Sequence, residues 1–265
     1  MGTRPIPPNI PDRARTPVQR DTALRLVGGY KRFHDTPVLT GVDLTVHEHE
    51  FVAVTGRSGS GKSTLLRILA GLDTLDAGTI HWTGGGSSGR PHTGVVFQQP
   101  RLMPWLTVGE NIAYGGRFRA HRDHFDAAHA TGLLSRFGLH DLAERTPDQL
   151  SGGQAQRVAI IRAVAIGPEL LLLDEPFSAL DPSIRADLRG WLREVTAELD
   201  MTVVLITHDI DEAIELADRI VLLGDTGTIR DEWVVASAPT RDCLRREIFG
   251  SYSGAVGADP VGEPA

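Results

Sequence analysis

Val42, Leu44 and Val46 alternate with polar residues, a period of two that predicts a strand with one buried face. Residues 51–55, 170–173 and 201–206 are instead almost unbroken apolar runs, the pattern of strands buried on both faces of a largely parallel sheet. Shorter stretches at 23–27, 78–83, 94–97, 220–223 and 233–236 predict further strands. Helical spacing appears elsewhere. Leu188, Trp191, Leu192, Val195 and Leu199 recur on one face behind Asp181-Pro182, where a proline at the first helical position is well tolerated. Residues 64–70 form a short helical segment that Gly71 can cap. From 101 to about 167 the strand patterns cease: Thr107 and Glu110 have the spacing of a capping box, 125–137 is helical, and the run 151–166 is stopped by Gly167-Pro168. The chain therefore reads as α/β, with a mostly parallel core sheet and an inserted α-helical subdomain at about 100–167.

Composition narrows this little. A length of 265 residues with 41% hydrophobic content suits one generous α/β domain carrying a subdomain. Residues 1–20 hold five prolines among polar residues and predict a disordered arm; 21–250 carry the fold, and 251–265 read as a flexible tail. Gly84-Gly85-Gly86-Ser87-Ser88-Gly89 reads as a flexible surface loop. No apolar run approaches the roughly twenty residues that cross a bilayer. There is no apolar leader, and Cys243 alone cannot close an internal disulfide, so a cytoplasmic protein is expected. The net charge of −7 argues against nucleic acid as the main partner.

The chemistry concentrates where the apolar runs end. After 51–55 comes Gly56-Arg57-Ser58-Gly59-Ser60-Gly61-Lys62-Ser63-Thr64, a strand–glycine loop–helix pattern on an exposed loop. Its glycines let backbone N–H groups turn inward at the positive end of a helix, which makes a phosphate site. Lys62 is expected to reach β- and γ-phosphates, and Ser63 to offer its hydroxyl to a Mg²⁺ bridging them. Open parallel sheets gather ligand groups at the carboxyl ends of their strands, and Gln98, Asp174-Glu175 and His208 occupy three more such ends. Asp174 is expected to hold Mg²⁺ through its water shell, leaving Glu175 to accept a proton from an attacking water. Gln98 is placed to reach the metal or a water, and His208 to sense the γ-phosphate. Phe33 is the favoured aromatic for stacking on a purine base, with Tyr30 the alternative.

Leu150-Ser151-Gly152-Gly153-Gln154, upstream of Leu171-Leu172-Leu173-Asp174-Glu175-Pro176, resembles the signature motif of ATP-binding cassette ATPases. Ser178-Ala179-Leu180-Asp181 is similar to the D-loop of that family, Gln98 to its Q-loop glutamine, His208 to its switch histidine and Phe33 to its adenine-stacking aromatic. The likeness covers residues 23 to about 250. Arg57 stands where the family often has proline, and Ala155 where it often has a basic residue. The resemblance implies a P-loop NTPase fold with an N-terminal antiparallel β subdomain. It implies a head-to-tail homodimer in which each ATP lies between one chain's Walker loop and the other's Ser151, Gly152 and Gly153. It further implies a peripheral ATPase on the cytoplasmic face of the cell membrane, working with a permease and a secreted or periplasmic substrate-binding protein. The segment Arg101-Leu102-Met103-Pro104-Trp105-Leu106-Thr107-Val108 looks like the branch importing aliphatic sulfonates, taurine or nitrate; sulfonate is the favoured substrate, and a non-transport cassette the distant rival.

Overall fold

In the computed structural model, which describes residues 20–83, 90–118, 121 and 125–253, the strands fall into two sheets. β1 (Thr22–Phe33), β2 (Thr36–His47) and β4 (Ala77–Trp82) form an antiparallel sheet in the order β2-β1-β4. The core sheet contains β3 (Phe51–Thr55), β5 (Thr93–Val96), β6 (Leu170–Asp174), β7 (Thr202–Ile206), β8 (Arg219–Leu223) and β9 (Ile229–Val234). Their order is β5-β6-β7-β3-β8-β9, parallel except for β9.

Period-two alternation explains how the core strands are buried on both sides. Val52, Val54, Leu170, Leu172, Val204 and Ile206 point to one face. There they meet the buried side of the antiparallel sheet and Leu65, Leu66, Ile68 and Leu69 of α1 (Lys62–Leu69). Phe51, Ala53, Leu171, Leu173, Val203 and Leu205 point to the other, against the remaining helices. Between β5 and β6 lie α2 (Val108–Ala113), α3 (Ala127–Arg136) and α4 (Gly152–Val164), with α2 and α3 packed on α4 and α4 on β5. After β6 come α5 (Pro182–Glu198), α6 (Ile210–Leu216) and α7 (Arg241–Ser253).

Several elements differ from the pattern-based expectation, each for a physical reason. β1 runs past Val27 because a register shift between Leu26 and Gly29 carries it through two glycines, with Gly28 in a left-handed conformation and its N–H donated to Asp43 Oδ1 at 2.8 Å. β9 occupies 229–234 instead of 233–236, since antiparallel pairing with β8 needs only the half-buried Ile229, Asp231 and Trp233 on one face. α1 begins two residues early, at Lys62, with Gly61 as its N-cap. α6 was not expected, although Asp209 caps it by accepting the N–H groups of Asp211 and Glu212. Arg20, the last residue of the expected arm, lies 3.2 Å from Asp218 and belongs to the folded body. α7 continues to Ser253, three residues into the expected tail. Residues 1–19, the glycine loop 84–89 and 254–265 lie outside the described residues.

Candidate nucleotide site

The loop 56–61 joins β3 to α1 and is wedged between two strands. Gly61 has φ 98°, and a Cβ there would lie 2.8 Å from the Val38 carbonyl oxygen of β2. A Cβ on Gly56 would lie 2.4 Å from the Leu223 carbonyl oxygen at the end of β8. Both positions therefore need glycine for close backbone approach. Lys62 is only 6% exposed, contrary to the expectation of an exposed loop. Its Nζ donates to the carbonyls of Gly56 and Arg57, both at 2.8 Å, so the ammonium lies across the loop. Burial pushes its pKa down, and the carboxylates of Glu175 and Asp174 oppose that. Arg57, Ser58, Gly59 and Ser63 are exposed, Thr64 is half-buried, and Arg57 faces Asp225 at 3.4 Å. The Ser60 hydroxyl is buried with no hydrogen-bond partner among the described residues.

β6 and β7 bring the next groups to this loop. Ser63 Oγ donates to Asp174 Oδ1 at 3.2 Å. Burial raises the Asp174 pKa; the Ser63 hydrogen bond opposes this, Glu175 adds to it, and Lys62 and Arg101 oppose it. Glu175 has φ 45°, uncommon for a residue with a side chain. Its N–H donates to Ile206 O at 2.9 Å and its carbonyl accepts Ser178 Oγ at 2.9 Å, which fixes that conformation. The turned backbone sets Glu175 Oε1 3.2 Å from His208 Nδ1, beyond the end of β7. Lys62, Ser63, Asp174, Glu175 and His208 thus converge at the carboxyl ends of three neighbouring strands, β6, β7 and β3.

Gln98, two residues beyond β5, is exposed and has no hydrogen-bond partner among the described residues. Its loop is nevertheless pinned from α4: Gln156 Nε2 donates to Phe97 O at 3.4 Å, and Arg162 to Pro100 O and Arg101 O at 3.0 and 2.7 Å. Arg101, whose guanidinium sits 4.5 Å over the Phe97 ring, is a charged neighbour of Asp174 that sequence reasoning missed. Only its place three residues after Gln98 could have flagged it.

A second group forms where α4 meets α5, with Ser151 and Gly152 exposed, Gln154 half-buried and Gly153 buried. Ser151 caps α4 in a reciprocal box with Gln154. Gly153 packs so closely on α5 that a Cβ would lie 2.5 Å from Ile184 Cγ2, and Gly152 faces Leu180. Asp181, at the N-cap of α5, is exposed and makes no side-chain cap bond. Phe33 is 45% exposed at the end of β1 with Lys31 Nζ 5.3 Å over its ring, while Tyr30 is half-buried.

Residues 39–178, just over half of the chain, match the ABC transporter family. The chain belongs to the ABC transporter family. Relatives include the aliphatic sulfonates import ATP-binding protein SsuB of Ralstonia nicotianae, 46% identical over 78% of this chain and 71% of that protein. SsuB 1 of Rhodococcus jostii is also 46% identical, over 81% and 84%. The sulfate/thiosulfate import ATP-binding protein CysA of Synechococcus elongatus is 47% identical over 73% of this chain and 57% of its own length. Among solved structures, cbiO1 of Clostridium perfringens, part of the ABC transporter complex cbiONQ, superposes with a TM-score of 0.73 at 25% identity, covering 86% of this chain and 94% of that one. A dimeric post-hydrolysis state of the ATP-binding cassette MJ0796 with ADP and Pi gives 0.65 at 33% identity, covering 80% and 98%. The fold is the α/β P-loop NTPase fold of ABC cassettes, and this ABC protein is an ATPase.

Proposed function

We propose that this ABC ATPase drives import through a separate permease, hydrolysing ATP at two sites shared across a head-to-tail homodimer. The convergence of Lys62, Ser63, Asp174 and the Glu175–His208 pair at three strand ends carries the reading. Backbone N–H groups of the glycine loop and Lys62 bind the phosphates, and Phe33 stacks on adenine. The Ser63 hydroxyl and Asp174 carboxylate, 3.2 Å apart, are hard oxygen donors that fit Mg²⁺, which when bound would neutralise charge on the phosphate oxygens; Gln98 completes that side. Glu175 accepts the proton of the attacking water, and His208, on its carboxylate, contacts the γ-phosphate. Ser151, Gly152, Gly153, Gln154 and Asp181 meet the partner's nucleotide; the dimeric MJ0796 cassette supports that assembly.

If Glu175 is the base, Glu175→Gln keeps shape and hydrogen bonding but slows the chemical step, so ATP stays at both sites and locks two chains together. Asp174→Asn loses Mg²⁺ and accumulates no dimer. Size-exclusion chromatography with Mg-ATP decides between them. Wild-type turnover by Glu175→Gln would remove the base assignment, and an inactive ATP-bound monomer would remove the shared site.

Among the described residues no helix is long and apolar enough to cross a membrane, which supports a peripheral ATPase docked on a permease at the cytoplasmic face. A secreted or periplasmic binding protein then delivers the substrate. The SsuB relatives favour an aliphatic sulfonate; the CysA relatives support sulfate or thiosulfate as the second reading. Deleting the gene should abolish growth of the source strain on ethanesulfonate, but not on sulfate, as sole sulfur source. The reverse result selects the second reading, and unchanged growth on both rejects either substrate.

A further inference from the structure

One side chain on the first turns of α5 reaches both segments that flank it in space. Arg185 Nη2 donates to the Leu180 carbonyl at 3.2 Å, the residue just before Asp181. The same guanidinium lies 3.7 Å from Asp209 Oδ2 and 3.9 Å from Glu212 Oε1. Glu212 is 3% exposed, and its other oxygen accepts the Thr207 hydroxyl at 2.6 Å. Thr207 Oγ1 in turn accepts the Asp209 N–H at 3.0 Å. Of the residues on either side of His208, Thr207 is therefore fastened to the buried carboxylate directly and Asp209 to it through the Thr207 hydroxyl. That carboxylate faces α5 through Arg185 and through Arg189, whose Nη1 is also 3.9 Å away. Arg189 is engaged separately, with Nε 2.7 Å from Glu215. Of the two arginines, Arg185 alone bonds the Leu180 carbonyl among the described contacts.

A buried carboxylate is costly to strand, so its cationic neighbours and the hydroxyl that bonds it tend to move with it. We propose that Arg185 is a positioning residue that couples the Leu180–Asp181 turn to the His208 loop through Glu212 and Thr207. A displacement of the turn, which faces the partner chain in the proposed dimer, then shifts His208 relative to Glu175. The proposal rests on the reading of His208 as a group that acts at the nucleotide.

Hydrogen–deuterium exchange of the full chain, read by mass spectrometry without nucleotide, tests the link directly. Arg185→Met should speed exchange roughly five-fold in both 178–181 and 207–212, with Arg185→Lys intermediate. It should also lower kcat about ten-fold with KM for ATP unchanged. Faster exchange confined to α5, or a changed KM with kcat intact, overturns the coupling in favour of a merely structural arginine. Should Arg185→Met fail to fold, Glu212→Gln serves instead. It keeps the hydroxyl bond and removes the charge, and must loosen 178–181, which Glu212 does not touch; protection there unchanged from wild type overturns the proposal. Absence of ATPase activity in the wild type would reject the nucleotide reading itself, leaving exchange as the sole judge of the link.

Discussion

Glu175 is held at φ 45° by hydrogen bonds to Ile206 and Ser178, a left-handed conformation that costs a side-chain-bearing residue roughly 1–2 kcal/mol. The turn aims its carboxylate at His208, so the strain sits on the residue proposed as the base. Glu175→Gly should therefore be more stable than Glu175→Ala by about 1 kcal/mol in urea unfolding, both variants having lost the His208 contact and turnover. Equal stabilities would mean the backbone there is relaxed. Lys62 gives a second case. Because its ammonium is buried on two loop carbonyls, Lys62→Ala leaves acceptors unsatisfied and should lower stability by about 1–2 kcal/mol while abolishing turnover. Thermal melting should show wild type gaining stability from Mg-ATP and the variant gaining none. A variant with full turnover would remove the phosphate-loop reading.

Elements buried on both faces were plain in the sequence, because nothing but apolar residues fits there. β3, β6 and β7 appear as runs at 51–55, 170–173 and 201–206, and the glycine loop follows from one of them. The capping box of α2 was legible for a local reason, since a span of four residues suffices to specify it. What stayed hidden depends on distant chain. β9 alternates polar residues on its outer face and is defined by pairing with β8, and Arg101 approaches Asp174 only because Arg162 holds its loop. The end of α7 is the clearest instance. Tyr252, in a stretch that reads as a loose tail, bonds through its hydroxyl to Thr55, the fully buried last residue of β3 before the glycine loop. No local pattern encodes a contact across 197 residues. Tyr252→Phe should strand the buried Thr55 hydroxyl and destabilise the chain by about 1–2 kcal/mol, with faster exchange at the end of α7. Wild-type stability in urea would show that α7 docks without that bond.

At the scale of the whole molecule, the groups of the candidate nucleotide site lie at one end of the core sheet while the helical layer presents a different surface. Trp105 is 72% exposed there, which rules out a core role for it in this chain. Its loop is nevertheless rigidly held. Asn111, fully buried, accepts the Met103 N–H at 2.7 Å and donates to the carbonyls of Met103, Leu106 and Thr107 at 3.0–3.1 Å. The segment behind it begins at Arg101, whose carbonyl is bonded by Arg162 and whose guanidinium is among the charges that act on Asp174. A large aromatic held out on an ordered loop loses little entropy on docking and suits an anchor in a partner's pocket. Trp105→Ala should therefore unfold within about 0.5 kcal/mol of wild type and keep its ATP affinity. It should lose transport, and the stimulation of ATP hydrolysis, when reconstituted with the permease in vesicles. Asn111→Ala is the contrast: it frees the loop's backbone groups and should lower stability by about 1–3 kcal/mol along with coupling. If Trp105→Ala transports normally, the anchor lies elsewhere on the helical layer; if it melts with Asn111→Ala, the exposed ring braces the loop instead of gripping a partner.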